Sequence, residues 1–294
     1  MSKAQRKNST KYVLSIEGGG LRGIIPATLL NVLDSHGKLP VFDLYCGVST
    51  GGLIALSLVA GYSPEYIHEI YTTRGAEIFS RSFWSRISTL WNPKHSNAGL
   101  KKVLNEMFGD RMMYELQRKV MLPVTPVETL EDDFIFSWKP RFTDTLLTDA
   151  ALRTTAAPTY FPLIDEWCDG GVHSNRPAFC AYTEARELWP KDRIKVLSLG
   201  CGHAPVGGKP EDLKSAGLIK WGKTLAEGYT TPGMSKELHF CEKWIPSGDF
   251  LHLNIEVPRE YAAMDEPKNS NILEVLGLLL WQKKQDELWE WLEK

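Results

Sequence analysis

The sequence predicts an α/β fold with a mostly parallel central sheet flanked by helices. Three observations carry that expectation. A strand–turn–helix pattern occurs twice, at 12–33 and again at 41–60, the arrangement that joins parallel strands through crossover helices. A further buried strand, Ile194–Leu199 (IKVLSL), ends in Gly200-Cys201-Gly202. The chain has 294 residues, 43% of them hydrophobic, and a chain of that size hides roughly 75% of its unfolded surface. No linker of distinct composition divides it. One domain over 12–294 is expected, behind a flexible basic tail at 1–11 (Lys3, Arg6, Lys7, Lys11).

The elements follow in order. Residues 12–16 (YVLSI) read as a short buried strand, followed at once by Glu17 to Gly23 (EGGGLRG). Ile24, Ile25, Leu29, Leu30, Val32 and Leu33 then recur at helical spacing. Residues 41–46 (VFDLYC) form the next strand, a glycine-rich turn follows at 47–52, and Leu53–Ala60 continues as a helix. Ser63-Pro64, a cap with proline at the first helical position, opens a helix over 64–79. Residues 79–97 mix aromatic and basic residues (Phe83, Trp84, Trp91, Arg81, Arg86), and 99–108 is amphipathic. Met121–Val127, Phe134–Trp138 and Phe250–Val257 read as strands, 203–215 as a Gly/Pro-rich loop, and Ile272 to the end as one long helix.

Composition excludes several classes. The formal net charge is −2, so there is no bulk attraction to a nucleic acid polymer or an anionic membrane. The five cysteines (Cys46, Cys168, Cys180, Cys201, Cys241) form no CxxC pair. An odd, scattered set fits a reducing compartment rather than a disulfide framework, and no zinc-finger spacing or acidic calcium loop is visible. The longest apolar run, Val275–Trp281, is seven residues, whereas a membrane-spanning helix needs about 20. Residues 1–11 lack the apolar stretch of a signal peptide. A soluble protein with at most peripheral membrane contact is expected.

Two turns and one dipeptide carry the chemistry. Gly47-Val48-Ser49-Thr50-Gly51 follows a strand and opens a helix, the setting of a nucleophile elbow. Ser49 then stands at a helix N-terminus, where free amides favour developing negative charge. An ordinary capping serine reads equally well from the turn alone. Gly18-Gly19-Gly20-Leu21-Arg22-Gly23 exposes unshielded backbone amides after a strand, able to hold an oxyanion or a phosphate. It lacks the GxxxxGK[ST] pattern of a P-loop, and no acidic residue follows at the spacing a dinucleotide site requires. Asp169-Gly170-Gly171 reads by itself as a turn. It matters because an activated serine needs a base.

Taken together, GGGLRG at 18–23, GVSTGG at 47–52 and DGG at 169–171 resemble the patatin-like phospholipase family. TTAAPTYFP at 154–162, GGVHSNRPA at 170–178 and SLGCG at 198–202 support the likeness, which covers 12–202 and fades over 203–294. The resemblance implies a three-layer sandwich and a lipid acyl hydrolase working through a Ser–Asp dyad. Ser49 would be the nucleophile and Asp169 the base. Gly18, Gly19, Gly20 and Arg22 would form the oxyanion loop, with the amides of Gly19 and Gly20 as donors. Arg22 would either orient that loop or meet a lipid phosphate. The sequence departs from the commoner family residues at Arg176, where many relatives carry asparagine, and at Glu17, where Asp is commoner.

The resemblance further implies a membrane phospholipid substrate, no cofactor and no metal. It also implies a cytoplasmic protein peripheral to the inner membrane when active. Related bacterial enzymes include antiphage effectors triggered by a cyclic nucleotide, so such an activator and a homo-oligomer are compatible with the family. The 203–270 region is the place expected for a regulatory surface, and 79–97 is a candidate lid or a packed subdomain. A base in the order Ser…Asp…His would have to be His173, His203, His239 or His252, none of which sits in a motif. The competing functions are a thioesterase or small-ester hydrolase, and a non-catalytic nucleotide-binding or scaffold protein.

Overall fold

A computed structural model of the chain describes residues 9–78, 95–204 and 236–294. Strands β1 (Thr10–Ile16), β2 (Leu44–Gly47), β3 (Lys119–Pro126), β4 (Asp133–Phe136), β5 (Trp167–Asp169), β6 (Arg193–Leu199) and β7 (Phe250–Leu253) form one sheet. Its order is β4-β3-β2-β1-β6-β7, with β5 also paired to β3. The β1/β2, β1/β6, β2/β3 and β6/β7 ladders are parallel, and β4 and β5 run antiparallel to β3. The expected mostly parallel α/β sheet is the observed one.

Alternation along the strands sends side chains to two covered faces. Leu14, Ile16, Tyr45, Leu122, Leu197 and Leu199 face helices α1 (Ile24–Ser35), α2 (Thr50–Val59), α3 (Pro64–Thr73), α5 (Ala98–Phe108) and α6 (Leu147–Thr155), with α9 (Ser270–Glu293) completing that layer. Val13, Leu44, Cys46, Met121 and Val196 face α7 (Ala178–Leu188) and α8 (Lys236–Trp244). The central strands are therefore buried on both sides, which is why they read as continuous apolar runs. Ala178, Ala181 and Ala185 supply the small face that α7 packs on the sheet.

Several boundaries differ from those read in the sequence. The basic tail expected over 1–11 ends earlier, because Thr10 and Lys11 pair with Arg193 and Ile194. The predicted strand 41–46 begins only at Leu44. There the Asp43 carboxylate, rather than a backbone carbonyl, accepts the Tyr12 N–H at 3.0 Å. The single helix predicted over 64–79 breaks at Arg74 into α3 and a short α4 (Gly75–Ile78). Strand β7 stops at Leu253, where the Asn254 side chain accepts the Gly202 and Ile255 amides at 2.9 Å. The aromatic stretch at 79–94 and most of the 203–215 loop lie outside the described residues. Helix α9 docks on α1, Gly277 packing against Ile25 and Thr28, and Trp291 stacks edge-on with Tyr12. No helix among the described residues is long and apolar enough to cross a membrane.

Candidate active site

The turn after β2 is a sharp elbow. Gly47 and Gly51 approach so closely that a Cβ on Gly47 would lie 2.1 Å from the Gly51 carbonyl oxygen. Ser49 at its apex has φ 55° and ψ −126°, a conformation costly for any residue with a side chain. Its amide donates to Thr154 Oγ1 at 3.2 Å, and the Thr154 hydroxyl donates to the Pro123 carbonyl at 2.8 Å. A buried threonine on α6 thus ties the strained residue to β3. Helix α2 begins at the next residue, so Ser49 stands at its N-terminus.

The sheet topology brings Asp169 to the same place. Strand β2 pairs with β3 only over Lys119–Met121 and then turns away at the elbow. Val124, farther along β3, is paired with Asp133 of β4 on one edge and with Asp169 of β5 on the other. Met121 is likewise flanked by β2 and β4, so β5 continues along the edge that β2 leaves vacant. That placement sets Asp169, the last residue of β5, beyond the carboxyl end of β2. The carboxylate accepts the Gly171 N–H at 2.7 Å. Burial pushes the Asp169 carboxyl up to about 6, opposed by hydrogen bonds from Ser49 and from the Gly171 amide.

The glycine loop forms the third side. Gly20 has φ 57°, and a Cβ there would sit 2.4 Å from the Met264 carbonyl oxygen, which accepts the Leu21 N–H at 2.7 Å. Among the described residues, the Gly19 and Gly20 amides donate to no protein acceptor. Gly18 N–H reaches the Asn175 carbonyl at 3.4 Å. Ser49, Asp169, Gly18, Gly19 and Gly20 all line one cavity of ≈ 640 Å³, whose walls include Leu53, Tyr71, Ile78, Leu100, Phe161 and Met264.

Arg22 does not line that cavity. It is buried beneath the loop, where desolvation pulls its guanidinium below the ordinary arginine range while Cys201 and Glu17 oppose the shift. Its guanidinium is buried rather than open to the cavity. Of the histidines that satisfy the triad order, His173 lines the cavity, whereas His203, His239 and His252 do not. Sequence reasoning missed Thr154, Asn175 and Met264. The first two lie in segments already quoted for the family likeness; Met264 lies where the likeness fades and carries no motif.

The family model of patatin-like phospholipases matches residues 14–182, which contain the glycine loop, the elbow and Asp169. This chain belongs to the patatin-like phospholipase family. Among patatin-like relatives, a Pseudomonas aeruginosa protein named cGAMP-activated phospholipase is 34% identical over 212 residues, 67% of this chain and 64% of that protein. A Vibrio cholerae protein of the same name is 26% identical over 301 residues, 87% of this chain and 84% of its own. Patatin-like protein 2 of Oryza sativa is 29% identical over 287 residues, covering 79% and 70%. The chain thus spans slightly less than two thirds of the Pseudomonas relative.

Proposed function

We propose that this protein hydrolyses carboxylic esters of membrane phospholipids through a Ser49–Asp169 dyad and an acyl-enzyme intermediate. The observation that carries the reading is convergence: a strained serine, a buried carboxylate and two loop amides with no protein acceptor among the described residues line one largely apolar cavity. Asp169 takes the Ser49 hydroxyl proton as Oγ bonds to the ester carbonyl carbon. The oxygen that becomes negative is received by the Gly19 and Gly20 amides. Collapse breaks the C–O bond to the leaving lysolipid, and Asp169 returns the proton to that oxygen. Water then attacks the acyl-serine by the same route, releasing a fatty acid and restoring Ser49.

An aspartate is ordinarily a weak base, near ~3.9. Burial raising Asp169 to about 6 brings it closer to the pH at which a general base is effective. The apolar walls favour a long acyl chain over a small ester. Activation by a cyclic nucleotide is part of the proposal on the strength of the relatives' names alone. So are assembly into a homo-oligomer and peripheral contact with the inner membrane from the cytoplasm.

Fluorophosphonate labelling with peptide mapping tests the nucleophile. The expected result is modification of Ser49 in the wild type and none in Ser49→Ala; modification elsewhere, or full esterase activity in Ser49→Ala, would refute the dyad. Lipid mass spectrometry on mixed phospholipid vesicles, with and without cGAMP, tests substrate and trigger together. Lysolipid and fatty acid should accumulate faster with the nucleotide, and equal rates would remove the trigger from the account.

A further inference from the structure

We propose that Glu17 and Arg176 are a positioning pair that holds the oxyanion loop in register with the loop bearing Asp169. This rests on the dyad reading above and adds to it two residues that touch no substrate. Arg176 Nε lies 2.6 Å from Glu17 Oε1, and both side chains are buried. Neither residue lines the cavity, so the pair cannot act by binding lipid.

The pair's place in the chain gives it leverage. Glu17 immediately precedes the glycine loop, and its own backbone is anchored to the sheet end: its amide donates to the Leu199 carbonyl at 2.9 Å, and its carbonyl accepts the Cys201 thiol at 3.0 Å. Arg176 closes the segment that runs from Asp169 through Asn175 to α7. Among the described residues, the hydrogen bonds between these loops are long. Gly18 N–H reaches the Asn175 carbonyl at 3.4 Å, and Asn175 Nδ2 reaches the Gly18 carbonyl at 3.3 Å, both beyond the usual range for a strong N–H···O bond. Among the described residues the buried ion pair is the shortest polar contact between the two loops, a charge–charge contact whose N–H is not aligned on the carboxylate. One loop offers the oxyanion donors and the other the base, and both must address the same ester carbonyl on Ser49.

Burial pushes the Glu17 carboxyl up to about 7 while Arg176 and then Arg22 pull it back. The cations thus offset part of the cost of burying the Glu17 carboxylate. Removing one partner leaves the other charge buried without its counterpart, which is far more disruptive than removing both.

The test compares Glu17→Gln, Arg176→Met and the double variant by kcat and KM on a short soluble ester, fluorophosphonate labelling and melting temperature. Each single variant should lose about 10- to 100-fold in kcat, as expected for a displacement of the order of 1 Å at the reacting groups, with little change in KM. The double variant should fall no further than the worse single one, because both remove the same contact. Arg176→Lys, which keeps the cation, should retain more kcat than Arg176→Met, and it carries the comparison if a neutral variant does not fold. Singles with wild-type kcat, losses that multiply in the double variant, or Arg176→Lys no better than Arg176→Met would overturn the pairing while leaving the dyad intact. Absence of Ser49 labelling in the wild type would instead overturn the dyad reading, and the pair's role with it.

Discussion

Two buried carboxylates lie near the same end of the sheet, and they have opposite surroundings. Asp169 opens on the cavity, and its contacts are neutral donors, the Ser49 hydroxyl and the Gly171 amide. Glu17 is sealed behind the glycine loop and faces cations, Arg176 and Arg22. Burial raises both. A carboxylate among neutral donors with access to a cavity can take and return a proton. One held by a buried guanidinium is better suited to fixing geometry. Burial is common to both, so the neighbours separate chemistry from scaffolding.

The largest expected effect breaks the Asp169 side of this comparison. Asp169→Asn keeps the shape and the acceptor for Gly171 but removes the proposed base, so turnover should fall by about 10²–10⁴. Stopped assays on a soluble ester would show it, and retained turnover would return the base to another residue. Next comes the oxyanion loop. Gly20→Ala places a Cβ against the Met264 carbonyl at a positive φ, so the amides shift and kcat should drop by roughly 10²–10³ with KM little changed. Thr154→Val removes the acceptor for the Ser49 amide and the donor to Pro123. A buried carbonyl left unpaired costs about 1–3 kcal/mol, measurable by denaturant unfolding.

A further effect concerns stability and has the opposite sign to the activity loss. Asp169 holds its proton more tightly folded, near 6, than the 3.8 of a free carboxyl. Between those values the folded protein binds more protons, so stability falls as pH rises through that window. Above pH 6 the buried anion is a cost, and Asp169→Asn removes it. The variant should be more stable than wild type at pH 8 by about 3 kcal/mol, with the advantage disappearing by about pH 4. An equal or lower denaturation midpoint at pH 8 would show that Asp169 is not a strained anion.

Much of this was legible in the sequence, for reasons that differ by element. The first two strand–turn–helix units were readable because their apolar runs are buried on both faces and their glycines are required by close backbone approach, as at Gly47. Strand β5 was not, because three residues ending in Asp-Gly look like a turn. Only the space β2 vacates along β3 makes Trp167–Asp169 a strand. Helix α7 was missed because its sheet-facing side is alanine, which gives a weak periodic signal. Ser49 and Asp169 were found by motif, yet their convergence depends on topology that no local spacing encodes. Glu17 and Arg176 appeared in the sequence as two unrelated departures, and the structure shows them in contact.

The most direct measurement mixes the enzyme with phospholipid vesicles, quenches within the first turnovers and maps the digested peptides by mass. The account predicts that the peptide containing Ser49 gains one acyl group in the wild type, and that Asp169→Asn shows little or none on the same timescale. An acyl group on any other residue, or lipid turnover with Ser49 never acylated, would contradict it.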